Sequence, residues 1–176
     1  MDKSFLALSL AAVLLAAGIT DLRSGRIPNW LTISAMATGF LSHSFFDGLP
    51  GMLFSLKGLG LGFGLFLVFY LAGGMGAGDV KLLGAVGSFI GAEGVFSAGI
   101  MAMLLGGIYA MAMMISHEGV RASLKRMVSI LKSCILMPAT FGTSASVKEQ
   151  QQLRYALVIG LGTLTTQWME VPFHIF

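Results

Sequence analysis

Residues 52–73 read MLFSLKGLGLGFGLFLVFYLAG, an apolar run interrupted by a single lysine. A helix needs roughly 20 such residues to cross the hydrocarbon core of a bilayer, and several other runs in the chain approach or exceed that length. Hydrophobic residues make up 56% of the sequence and charged residues 11%, which is far from the composition of a soluble globular domain. The sequence therefore predicts an all-α polytopic membrane protein.

The hydropathy pattern predicts about six transmembrane helices in one integral membrane domain that covers residues 1–176. The predicted spans are Ser4–Thr20, Trp30–Phe46, Met52–Gly73, Val80–Ala92, Val95–Ser116 and Leu153–Trp168. The fourth is short, so we expect it either to lie in a locally thinned bilayer or to stop partway. The first could be misread as a cleavable signal peptide, but an acid beside its lone base and the apolar sequence downstream favour a transmembrane helix.

Lysines and arginines set the expected orientation, because they favour the cytoplasmic side of a membrane. We expect the N-terminus to lie outside, and with six spans the C-terminus then lies outside as well. This orientation places Arg23, Arg26 and Lys81 in the cytoplasm. It also places there a long basic loop at about residues 117–152, whose run 121–132 we expect to lie on anionic lipid headgroups. The reverse orientation would put almost all of the basic loop residues outside.

Four aspartates occur in the chain, and this orientation separates them into two pairs. Asp21 and Asp79 fall at the cytoplasmic ends of predicted helices, whereas Asp2 and Asp47 fall on the other side. A carboxylate at the membrane edge is energetically costly and marks a candidate functional residue. The simpler interpretation is that Asp79 caps a helix and that Asp21 pairs with a nearby arginine.

Two carboxylates held close together cannot both ionise cheaply, so such a pair shares one proton. One member can activate a water molecule as general base while the other protonates a leaving amine, with no metal or cofactor. The glycine-rich stretch at residues 73–78 precedes Asp79 and offers bare backbone against which an extended peptide could lie. Asp21 and Asp79 are therefore candidates for an acid–base pair that hydrolyses peptides.

The motifs around both aspartates resemble those of type IV prepilin peptidases, a family of GxGD intramembrane aspartyl proteases. Gly76-Ala77-Gly78-Asp79, within GMGAGDVKLLGAVG at residues 74–87, is similar to the GxGD signature. DLRSGRIPN at residues 21–29 is similar to the family's other motif, an aspartate followed by Ile-Pro-Asn. Residues 155–164 resemble the last helix of that family.

The resemblance implies a GxGD aspartyl protease-like fold in the bacterial inner membrane, with an active site facing the cytoplasm and periplasmic termini. It implies removal of the short basic leader from type IV pilin-like precursors, with Asp21 and Asp79 catalytic. Gly76 and Gly78 would contact the substrate, and Lys81 would either hold the ionised aspartate or reach the interface. The chain is most similar to compact peptidases of Flp/tight-adherence pili, and it lacks the paired-cysteine segment associated with methyltransferase activity.

Other functions stay open on the sequence alone. Archaeal preflagellin peptidases share the motif pair, and a subunit of a pilus or secretion assembly complex would need neither aspartate. A small proton-coupled transporter would need ionisable residues near mid-span, which these apolar segments lack. The single cysteine excludes a paired-cysteine zinc site, the three histidines are scattered, and the charge pattern does not favour nucleic-acid binding.

Overall fold

The computed structural model describes residues 3–71, 75–118 and 155–173. In these ranges the chain forms four α-helices: α1 (Lys3–Ser24), α2 (Asn29–Leu71), α3 (Ala77–Glu118) and α4 (Tyr155–Phe173). Every regular element among the described residues is helical, which confirms the predicted all-α class. The predicted cytoplasmic loop covers residues 117–152. Helix α3 ends at Glu118, and residues 119–152 of the loop lie outside the described residues.

Three of the helices in the described ranges are long and apolar enough to cross a membrane. The qualifying stretches are Phe5–Ser24, Asn29–Leu71 and Ala77–Tyr109, while the apolar stretch Ala156–Thr165 of α4 is shorter. Large apolar side chains such as Leu8, Phe45 and Leu71 point outward from the bundle. Outward-facing apolar residues are expected where lipid, rather than water, surrounds the helices. The chain is thus built as a membrane protein, in agreement with its hydropathy.

Helix α2 folds back on itself close to its middle. Its 43 residues would extend about 65 Å if straight, twice the thickness of a bilayer core. Gly48 has non-helical backbone angles (φ 63°, ψ −140°) and Pro50 follows it. Gly39 and Ser55 both contact Ser88 of α3, although about 24 Å would separate them along a straight helix. The two parts of α2 therefore lie side by side against α3.

Helix α3 also reverses direction, at Gly91 (φ 73°). A Cβ atom built on Gly99 would lie 3.0 Å from the side chain of Leu65 and 3.6 Å from that of Leu83. On a straight helix, residues 83 and 99 would be about 24 Å apart and could not both lie within 4 Å of one point. Gly48 falls between the second and third predicted spans, and Gly91 lies one residue before the end of the fourth.

The first part of α3 is the centre of the bundle. Between Val80 and Phe89 almost every side chain is buried, and Leu82, Leu83 and Val86 are completely enclosed. The short fourth span of the sequence analysis is therefore surrounded by protein on most of its faces. Such an environment removes the need for this segment to match the thickness of the bilayer by itself.

The end of this central segment is capped by side chains from both parts of α2. Carbonyl groups in the last turn of a helix lack helical partners and need others inside a membrane. Ser55 Oγ donates to the carbonyl of Ser88 at 2.9 Å. His43 Nε2 lies 3.0 Å from the carbonyl of Phe89, and because a carbonyl can only accept, this nitrogen carries the proton. These two bonds fix the fold-back of α2 against the break in α3.

Candidate active site

Asp21 lies in the last turn of α1, with only 5% of its surface exposed. The helix ends at Ser24, and the next residue, Gly25, has a φ of 62° and donates its N–H to the carbonyl of Asp21 at 2.9 Å. A glycine with positive φ is the usual residue that ends a helix in this way. The turn sends residues 25–28 across the end of the bundle and leaves the Asp21 side chain facing inward.

Asp79 lies in the first turn of α3 and is 7% exposed. Its N–H donates to the carbonyl of Gly76 at 3.1 Å, and its carboxylate accepts a hydrogen bond from the Gly76 backbone. The bond to the carboxylate is the side-chain half of a capping box, in which the third helical residue reaches back to the residue before the helix. Asp79 therefore caps the central helix, as the simpler interpretation of the sequence expected, and the cap also fixes the direction of its carboxylate.

The structure brings Asp21 and Asp79 to the same end of the bundle. The charge of the Asp21 carboxylate acts directly on Asp79. Backbone packing supports this proximity, because a Cβ atom built on Gly78 would lie 3.2 Å from Cβ of Ile27. Residues 25–28 thus lie against the start of α3, and a side chain at residue 78 would crowd them. Asp47 lies 3.5 Å from His43 beside the break at Gly48, at the opposite end of the first part of α2 from Asn29.

The first turn of α4 also reaches the site. The N–H of Ala156 donates to Oδ2 of Asp21 at 3.3 Å in a buried environment. No sequence motif predicts this contact, since a main-chain donor carries no side-chain signature. The only signal was the resemblance of residues 155–164 to a last helix of the related peptidases.

Lys81 does not point freely to the interface. Its Nζ donates to Oδ1 of Asn29 at 2.8 Å, which links the first turn of α3 to the first turn of α2. Asn29 closes the Ile-Pro-Asn motif but was not among the site residues predicted from the sequence. The motif itself was the available signal, but the pairing joins residues 52 positions apart.

The two glycines expected to contact the substrate have different surroundings. Gly76 is exposed beside the Asp79 carboxylate, whereas Gly78 is half-buried against Ile27. Residues 72–74 of the glycine-rich stretch lie outside the described residues. In the described part of the chain, no three His, Cys, Asp or Glu side chains form a group that could hold a metal ion.

Comparison with known proteins identifies the family. A family model described as the type IV leader peptidase family matches residues 8–111, which include Asp21, Asn29, Asp79 and Lys81 but not α4. No curated protein and no solved structure matches the chain. The match covers more than half of the sequence and confirms the resemblance drawn from the two motifs. The chain belongs to the type IV leader peptidase family.

Proposed function

We propose that this membrane peptidase is an aspartyl endopeptidase that removes the short basic leader from type IV pilin-like precursors. The observation that carries the proposal is the meeting of two buried carboxylates, Asp21 and Asp79, from the ends of two different helices. Both lie in the segment that matches the leader peptidase family. Two interacting carboxylates are sufficient for acid–base hydrolysis of an amide.

The surroundings of the two aspartates support different roles. Asp21 accepts a hydrogen bond from the N-terminus of α4, an arrangement that stabilises a carboxylate more than a carboxylic acid. Asp21 is then the general base, which takes a proton from water as the oxygen attacks the scissile carbonyl. Asp79 is the acid, which gives its proton to the departing amine nitrogen. One proton moves onto the pair and one leaves it, so the pair returns to its starting charge.

The substrate backbone would lie beside the start of α3. Gly76 presents exposed main chain next to the Asp79 carboxylate, and Gly78 allows residues 25–28 to pack closely enough to bring Asp21 near. The ammonium group of Lys81 uses one of its three donors on Asn29 and has two others for substrate carbonyls. We therefore propose Gly76, Gly78 and Lys81 as substrate-contact residues.

We further propose that the six helical segments each cross the bacterial inner membrane, with the aspartates at the cytoplasmic face and both termini in the periplasm. Arg23 and Arg26 are exposed at the end of the bundle that carries Asp21, as the preference of basic residues for the cytoplasm predicts. The leader of a precursor is then cut before the mature part leaves the cytoplasmic side. The pilus assembly machinery would receive the product.

The test is cleavage of a co-expressed precursor by full-length protein in membranes. Asp21→Asn and Asp79→Asn should each lower the cleavage rate by about 100- to 10,000-fold, the usual contribution of a catalytic acid or base. Asp47→Asn is the matched control, because this aspartate is remote from the site, and it should cleave like the wild type. Retained cleavage by either of the first two variants would reject the catalytic pair.

The choice of precursor separates the possible substrates. A prepilin-like probe with a short basic leader and a preflagellin-like probe should be compared in the same membranes. Preferential cleavage of the first supports the proposed substrate class, and preferential cleavage of the second assigns the chain to preflagellin processing. If the Asp21 and Asp79 variants still cleave both probes, the aspartates are not catalytic, and a non-catalytic role in assembly is favoured instead.

A further inference from the structure

Helix α4 lies outside the segment that matches the family, yet it touches a candidate catalytic residue. The matched segment ends at residue 111, and α4 begins at Tyr155. Ala156 is completely buried, and its N–H reaches Oδ2 of Asp21. The site therefore contains a component that the family match does not include.

Two further contacts hold α4 in this position. A Cβ atom built on Gly18, one turn before Asp21 in α1, would lie 3.1 Å from the side chain of Leu157. A Cβ atom built on Gly162 would lie 3.0 Å from the backbone nitrogen of Ala102 in α3. Glycines at these two points let α4 approach both neighbouring helices closely. The first turn of α4 is thus docked against α1, and its next turns are docked against α3.

The position of Asp21 explains why such a contact is needed. Asp21 sits at the C-terminal end of its own helix, where the partial negative charge of the helix disfavours a carboxylate. The N-terminus of α4 supplies Asp21 with the donor and the partial positive charge that α1 cannot. The N–H groups of the first helical turn are available for this, because they have no partner within the helix.

We infer that the first turn of α4 is a positioning element of the catalytic site, which holds the Asp21 carboxylate through the N–H of Ala156. The inference rests on the proposed peptidase function. Ala156 does not itself take part in proton transfer. It orients Asp21 and keeps this aspartate in its ionised form while water attacks.

Proline at residue 156 tests the hydrogen bond directly. Ala156→Pro removes the N–H, and the first turn is the part of a helix that tolerates proline best. Loss of a hydrogen bond to a charged group predicts a fall in kcat of about 10- to 100-fold. KM should change little, because the substrate-contact residues are untouched. Ala156→Gly is the comparison variant, since it shortens the side chain but keeps the donor, and its kcat should exceed that of Ala156→Pro by about 10-fold or more.

A second pair of variants tests the same inference if Ala156→Pro does not fold. Gly162→Ala must push α4 a few tenths of an ångström away from the backbone of Ala98 and Ala102. A misplacement of that size predicts a loss in kcat of about two- to tenfold. Gly160→Ala is the control on the same helix, because a Cβ atom there has no atom of the described residues within 4 Å. It should leave kcat unchanged.

The outcomes separate this inference from the proposed function. The assay uses full-length protein in detergent micelles with a prepilin-like probe, and folding of each variant is checked by its melting temperature. If wild-type protein does not cleave the probe while remaining folded, the proposed function fails. If wild-type protein cleaves and folded Ala156→Pro has the same kcat as Ala156→Gly, the positioning role is wrong. Equal kcat for the Gly162 and Gly160 variants would overturn it in the same way.

Discussion

The contact between α2 and α3 at Gly58 gives the sharpest test of the fold. Gly58 and Gly62 face α3, whereas no atom in the described part of the chain lies within 4 Å of a Cβ atom built on Gly60. The sequence presents these glycines as equivalent small residues in one apolar helix. We therefore compare Gly58→Ala with Gly60→Ala, two identical changes that lie two residues apart on the same helix.

The structure sets the expected size of the effect. A Cβ atom on Gly58 would lie 2.7 Å from Cα of Gly91 and closer still to the carbonyl oxygen of Gly87. Carbon atoms in contact are roughly 3.5–4.0 Å apart, so the helices must separate by about 1 Å. Overpacking of this kind typically costs about 1–3 kcal/mol, and both obstacles here are backbone atoms that cannot rotate away. We expect a value near 3 kcal/mol, the upper end of that range.

Thermal unfolding of the purified protein measures this difference. For a chain of this length each kcal/mol shifts Tm by about 2–4 °C, so Gly58→Ala should melt about 6–12 °C below the wild type. Gly60→Ala should match the wild type or exceed it, because alanine favours a helix over glycine by up to about 1 kcal/mol. Protein heated in detergent micelles and analysed by size-exclusion chromatography provides the measurement. Equal melting temperatures for the two variants would refute the assigned helix face.

Two further predictions concern the polar contacts between helices. Lys81→Met removes the donor to Asn29 and should lower kcat/KM for leader cleavage by about 3- to 10-fold. Lys81→Arg keeps a donor and should retain most of the activity. Wild-type kinetics for Lys81→Met would show that the hydrogen bond between Lys81 and Asn29 is dispensable. His43→Leu deprives the Phe89 carbonyl of its side-chain donor and should lower the free energy of unfolding by about 1–3 kcal/mol in the same thermal assay. His43→Gln, which keeps a donor, should recover part of that loss, and an unchanged Tm for His43→Leu would contradict the capping role.

Hydropathy predicted much of the architecture. The apolar runs are long enough to specify membrane helices, and Gly48 with Pro50 interrupts them where α2 folds back. The location of Asp21 and Asp79 at helix ends followed from the same pattern, because both flank apolar runs. The structure adds that these ends meet, which sequence separation alone does not determine.

Other features of the site were beyond the reach of sequence patterns. Gly58 and Gly60 differ in their direction around the helix, and an all-apolar helix gives no pattern that identifies the inward face. The Asn29–Lys81 bond depends on how two distant turns pack together. The Ala156 donor is a main-chain group, which every residue except proline possesses. Each of these features is a property of tertiary packing rather than of a local motif.

The meeting of the two aspartates depends on a residue that lies far from both. Asp21 precedes α2 and Asp79 follows it, so a straight α2 would place them about 65 Å apart along its axis. The reversal at Gly48 returns the chain to the end from which it started. Its angles (φ 63°, ψ −140°) belong to a region that is essentially restricted to glycine. A Cβ atom there would meet none of the residues that the structure describes within 4 Å, so glycine is required here for its backbone conformation and not to avoid a steric clash. The proposed catalytic pair therefore depends on the backbone freedom of Gly48 as well as on its own two motifs.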